Sequence, residues 1–162
     1  MFRALGVDLT LIDGIDVGTA LVILAEIGVD VSRFPTEKHF ASWLRLCPPQ
    51  DESNNTKRRR GHRKVTNRVT IALRMAARSA GKTMTPLGLF YRRIRSRIGG
   101  LGAVKATAHK LACLVYRMLK YGQEYVVQSM EEYEAKMKAN MLKVLQRKAA
   151  AMGFQLTPIA TP

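Results

Sequence analysis

The sequence predicts an all-α protein. Apolar residues recur at spacings of three and four through most of its 162 residues, Thr-Glu and Thr-Pro start signals precede two of these runs, and no segment alternates convincingly as a strand does. The length suggests one domain, or one domain with an appendage, and is sufficient to bury a real core.

The first element spans residues 8–28. Leu9 and Ile12 are apolar, the run Asp13-Gly14-Ile15-Asp16-Val17-Gly18 interrupts them, and Ala20, Leu21, Ile23, Leu24 and Ile27 follow at helical spacing. This is the outline of a helix-hairpin-helix. Gly14 supplies backbone freedom at the turn, and the amides near Gly18 open a second helix where a nucleic-acid phosphate can sit. An ordinary helical corner fits the same residues, and Asp13 and Asp16 put negative charge where a phosphate would bind. The second element starts at Phe34-Pro35-Thr36-Glu37, with Thr36 as N-cap, and carries Phe40, Trp43 and Leu44 on one face. Pro48-Pro49 stops it.

Residues 50–64 are polar and read as a loop, beginning with the turn-forming Ser53-Asn54-Asn55-Thr56 and continuing into Lys57, Arg58, Arg59, Arg60, Arg63 and Lys64. A helix over Thr66–Ala80 follows, with Val69, Ala72, Leu73 and Ala76 inward, Arg68, Arg74 and Arg78 extending the positive surface, and Gly81 as its end. Thr85-Pro86 caps the next helix, whose stripe is Leu87, Phe90, Tyr91, Ile94 and Ile98, and Gly99-Gly100 ends it. Ala103–Lys120 is a further helix, with Leu111, Leu114, Val115, Met118 and Leu119 inward and His109 alone near that face. From Glu124 to about Met152 a long amphipathic helix carries Val126, Met130, Tyr133, Met137, Met141 and Val144, a near-heptad seam suited to pairing with another helix. The expected organisation is a helical domain over 1–123, with the hairpin at 8–28 and a basic serine loop at 47–64. A long helix at 124–152 and a loose tail at 153–162 complete it.

Charge narrows the function. The net charge is +15, but residues 1–52 hold four basic and eight acidic side chains, whereas residues 53–123 hold eighteen basic and none acidic. A stretch without a carboxylate cannot neutralise itself, so a polyanionic partner is the economical explanation. No run of eighteen apolar residues exists for an ordinary membrane-spanning helix, and the N-terminus reaches acidic residues too soon for a secretory signal. Cys47, Cys113 and three scattered histidines give neither a disulfide framework nor zinc spacing. The two cysteines fit a reducing cytoplasm.

Six blocks carry a resemblance: GIDVGTALVILAEIG, SRFPTEKHFASWLRLCP, a serine followed by KRRRG, TNRVTIALRMAARS, LGLFYRRIRSRIGG and ATAHKLACLVYRMLKYGQEY. In this order and spacing they resemble the C-terminal domain of the bacterial insertion-sequence transposases called the one-hundred-and-ten and one-hundred-and-sixteen family, over roughly residues 5–150. The resemblance implies a DNA recombinase that mobilises its own element, guided by a bridge RNA. It implies a RuvC-like N-terminal domain, outside this sequence, that holds a divalent metal such as Mg on four acids. It places the serine nucleophile at Ser53, with Lys57–Arg60, Arg63 and Lys64 gripping phosphates. Asn54 and Asn55 stand where many relatives have glycines. No cofactor is expected in this chain itself. The expected partners are DNA, the guide RNA, and a second copy or a full-length transposase. Two other readings use the same charge: a truncated remnant that binds DNA or RNA without catalysis, and a basic structural protein that binds RNA generically.

Overall fold

The computed structural model describes residues 6–47 and 67–157, apart from the side chains of residues 123, 125–134 and 137. It is all-helical, with no strand among the described residues. The chain forms two compact units, Met1–Val126 and Val127–Pro162.

The first unit opens with a 3-10 turn, Leu9–Leu11, and then α1, Val17–Ile27. The expected first helix of the hairpin is thus a single tight turn. Asp8 caps it through Thr10, and only a few residues separate it from Gly14, too few to repay helix nucleation. Asp16 caps α1 by accepting from the Thr19 amide at 2.7 Å. α2, Glu37–Trp43, starts as its sequence predicts: Thr36 is the N-cap and accepts from the His39 amide. It ends at Leu44, with Arg45 at φ 53, before the two prolines are reached.

α3, Arg68–Ala80, is capped by Asn67 and buries Val69, Leu73, Ala76, Ala77 and Ala80. It ends where its sequence predicts, with Gly81 as the C-cap. Gly81 stays in the right-handed helical region, and the demand on it is space: a Cβ there would lie 2.5 Å from the Tyr91 ring. α4, Pro86–Tyr121, has Thr85 as N-cap and proline in its first turn. It is two arms, residues 86–98 and 100–121, broken at Gly99 by φ 80 and ψ 174, values open to glycine and strained for other residues. Tyr91 and Ile94 of the first arm pack with Ala103 and Val104 of the second.

Helices α1 and α3 pack together, α3 packs on α4, and α2 packs on α4. The core comprises Leu9, Ile12, Ile23, Phe40, Leu44, Leu73, Leu111 and Val115, all fully buried. Long-range polar contacts lock the segment before α2 onto the second arm of α4. The Tyr116 hydroxyl donates to the Phe34 carbonyl at 2.8 Å, and Lys120 Nζ donates to the Pro35 carbonyl and to the Tyr116 oxygen. Thr70 donates to the Leu44 carbonyl at 2.8 Å, joining α3 to the end of α2. Trp43, expected in the core, is 41% exposed; it lies beside Phe34 and Phe40 and beneath the Arg33 guanidinium.

The last helix, α5, Gln123–Ala151, begins in the final residues of the first unit and makes up most of the second, and Gly153 follows it at φ 79. No described helix is long and apolar enough to cross a membrane.

Candidate nucleic-acid interface

The positive surface is built on α3. Burial of Val69, Leu73, Ala76 and Ala77 turns the opposite face outward, where Arg68, Ile71, Met75 and Arg78 follow at spacings of three, four and three. All four are exposed, and Arg74 is half-buried beside them. Guanidinium groups interleaved with apolar side chains suit a polyanion that also presents flat apolar faces, as nucleic acid does. Arg68 Nε lies 3.7 Å from Glu26 Oε1, and the Arg68 side chain is 81% exposed. An ion pair this exposed contributes little, so a phosphate can replace the carboxylate at small cost.

The first arm of α4 adds Arg93, Arg95 and Arg97, all exposed. Arg92 serves the fold instead. Its Nη1 donates to the carbonyls of Gly81 at 3.1 Å and Thr83 at 2.7 Å, satisfying oxygens just past the end of α3 where a cation is favoured.

The two arms of α4, Glu37 at the start of α2 and Leu46 just beyond its end line a groove of about 630 Å³. Leu46, Phe90, Ile98 and Leu114 supply apolar walls, and Lys105, His109, Lys110 and Arg117 line the same space. Lys110 Nζ sits 4.8 Å from the centre of the Phe90 ring. The carboxylate of the groove, Glu37, is bound at both oxygens by Arg117, at 2.5 Å from Nε and 2.9 Å from Nη2. That charge-assisted pair holds the Glu37 carboxyl below its ordinary range. Cys113 Sγ lies 4.0 Å from His109 Nδ1, the composition of a nucleophile and base. Burial pushes the thiol up to about 11, and the charge of Glu37 adds to the effect, so Cys113 stays protonated and unreactive near neutral pH. Burial raises the Cys47 thiol as well.

The hairpin glycines lie elsewhere on the unit. Glu26, late in α1, meets Arg68 at the start of α3, whereas Gly14 meets Ala76 and Ala80 near the end of α3. The two helices therefore run antiparallel, and the hairpin lies at the opposite end of α3 from Arg68. Gly14 has φ +85, and a Cβ there would lie 2.7 Å from the Ala76 carbonyl oxygen, so close packing already requires glycine. Gly18 is exposed in the first turn of α1. The Asp16 carboxylate occupies that helix start, and its hydrogen bonds from Thr19 lower its pKa. Gly14, Asp16 and Thr19 face Met75, Ala76 and Ser79 across a cleft of about 360 Å³.

Of the residues that the sequence marks as candidates, Arg68 and Arg74 share α3, and Gly14 and Gly18 flank the start of α1. Ser53, Lys57, Arg58, Arg59, Arg60, Arg63 and Lys64 lie outside the described residues. Sequence reasoning misses the groove cations Lys105 and Lys110. Their spacing of five within a helix gives no local signal, and the kink at Gly99 is what brings them opposite Phe90. Among the described residues no group of three or more His, Cys, Asp or Glu side chains is arranged to hold a metal ion.

No curated protein and no solved structure matches the chain at a significant level. A family model does match, over residues 8–92, which takes in the hairpin, α1 to α3, the basic run and the start of α4. With more than half its length inside that match, the chain belongs to the transposase IS116/IS110/IS902 family of insertion-sequence proteins.

Proposed function

We propose that this chain is the phosphate-gripping, serine-bearing part of an insertion-sequence transposase. The observation that carries the reading is the stretch from residue 53 to 123, with eighteen cations and no carboxylate, part of which the fold presents as the outer face of α3. Family membership supports transposition as the process. In this reading DNA is the substrate, a guide RNA supplies sequence choice by base pairing, and Ser53 is the nucleophile. A RuvC-like domain outside residues 1–162 brings the acidic metal ligands.

The covalent step balances without an external energy source. The Ser53 oxygen forms a bond to a backbone phosphorus as the bond from that phosphorus to the departing sugar oxygen breaks. The serine proton passes to a general base, and the departing oxygen gains a proton. Charge accumulates on the non-bridging oxygens, where Lys57, Arg58, Arg59, Arg60, Arg63 and Lys64 stabilise it. Attack by the hydroxyl of an incoming strand then releases serine and reseals the backbone, so ATP is not needed. Arg68, Arg74 and Arg78 continue the phosphate track along α3. Gly14 is assigned to packing, since its contacts with α3 account for it.

The test supplies the acidic domain and guide RNA in a reconstituted reaction and looks for protein–DNA adducts on a denaturing gel. The native chain is expected to form them, and Ser53→Ala to lose them while retaining DNA binding. Adducts that persist in Ser53→Ala would remove this serine from the chemistry.

A further inference from the structure

α5 keeps large apolar side chains in solvent. Met141, Leu142, Val144 and Leu145 are 43–58% exposed on this helix. Its sequence seam has a regular spacing: Val126 and Met137, Met130 and Met141, and Tyr133 and Val144 each lie eleven residues apart. An eleven-residue repeat corresponds to about 3.67 residues per turn, close to the helical 3.6, so the seam stays on one face of a nearly straight helix.

Charge is divided along the same helix. Residues 124–134 carry Glu124, Glu131, Glu132 and Glu134 and no base. Residues 135–151 carry Lys136, Lys138, Lys143, Arg147 and Lys148 and no acid. A covering surface of a single sign would suit one half and repel the other. The partner must therefore have the same division in the reverse direction.

We propose that α5 pairs with α5 of a second copy, antiparallel and centred near Ala135. With that centre, Val126 lies opposite Val144, Tyr133 lies opposite Met137, and Met130 falls within one residue of Met141, so seam meets seam along the helix. The same alignment sets Glu124 within a turn of Arg147, Glu131 beside Lys138 and Glu134 beside Lys136. A parallel pair in register would set the acidic halves against each other and the basic halves likewise, and like charges at such positions destabilise helix pairs. Antiparallel pairing is two-fold and self-complementary, so assembly closes at a dimer.

The test uses the full chain. Light scattering is expected to give twice the 18.1 kDa chain mass, and Val144→Asp, at an exposed position, to return the monomer with helical circular dichroism unchanged. Orientation is read by disulfide trapping in a Cys47→Ser, Cys113→Ala background whose mass and spectrum match the native chain. Val126→Cys mixed with Val144→Cys is expected to cross-link across the pair, and neither alone to do so, because self-pairing positions would be about 27 Å apart along the axis at 1.5 Å per residue. A native monomer, a Val144→Asp dimer, or efficient self-cross-linking of Val144→Cys would each overturn the proposal.

Discussion

Gly14 and Gly18 belong to one turn-like run, yet the structure predicts opposite results for Gly14→Ala and Gly18→Ala. At Gly14, φ +85 is unfavourable for alanine by about 1–2 kcal/mol. The new Cβ would also meet the Ala76 carbonyl oxygen at 2.7 Å and the Ala80 Cβ at 2.9 Å. The first is backbone and the second is fixed to backbone, so neither has a rotamer through which to retreat. Overpacking of this kind costs about 1–3 kcal/mol. The expected destabilisation is thus about 2–5 kcal/mol, a large share of the stability of a small domain. At Gly18, in the first turn of α1, the nearest atom to a Cβ is Asp16 Oδ1 at 3.6 Å, an ordinary contact. Alanine there is expected to be neutral or to stabilise by up to about 1 kcal/mol. Urea unfolding followed by circular dichroism measures both. A cost below about 0.5 kcal/mol for Gly14→Ala would refute the close packing of the hairpin against α3.

Two further substitutions test the interior and the groove. Thr70 and Thr107 are both fully buried, but Thr70 donates to the Leu44 carbonyl, whereas the Thr107 hydroxyl has no partner among the described residues. Thr70→Val is therefore expected to destabilise by about 1–2 kcal/mol and Thr107→Val to be neutral or stabilising, as unfolding midpoints will show. Glu37 has a folded pKa below its ordinary value because of Arg117, so its contribution is present above the ordinary carboxylate range and disappears as pH falls through the folded pKa. Glu37→Gln is expected to cost about 1 kcal/mol at neutral pH and to flatten the acid limb of a stability–pH curve; an unaltered limb would contradict the pairing.

Local chemistry made much of this fold legible in the sequence. Thr36, Thr85 and Pro86 mark helix starts because their side chains act within one turn of the backbone, and Gly99 marks the break because few residues tolerate its φ. The features that sequence patterns miss depend on distant residues. Tyr116 and Arg117 bind Phe34 and Glu37 some eighty positions away, and no periodicity records such a pairing. Arg92 resembles its neighbours Arg93 and Arg95 in sequence, and only the placement of Gly81 and Thr83 makes it structural. Gly81 reads as a helix end and is one, but the sequence does not show why glycine is needed there: the Tyr91 ring is laid over it from the next helix. Ile98 completes an apolar stripe yet is 64% exposed, because the stripe runs out at the kink beyond which the chain changes direction. In the site, the positive face of α3 was legible from spacing alone, whereas the groove between the arms of α4 depends on the angle set at Gly99.

Whether the carboxylate-free stretch is a phosphate grip is tested most directly by the salt dependence of DNA binding. For each phosphate that a duplex complex no longer neutralises, the slope of log affinity against log salt falls by about 0.9. Replacing Lys57, Arg58, Arg59 and Arg60 with alanine is therefore predicted to weaken binding to all sequences alike and to flatten that slope by up to about 3.6. Arg78→Ala on α3 is predicted to flatten it by the equivalent of about one phosphate. A slope unchanged in both variants would mean that these cations face only solvent, and would contradict the phosphate grip.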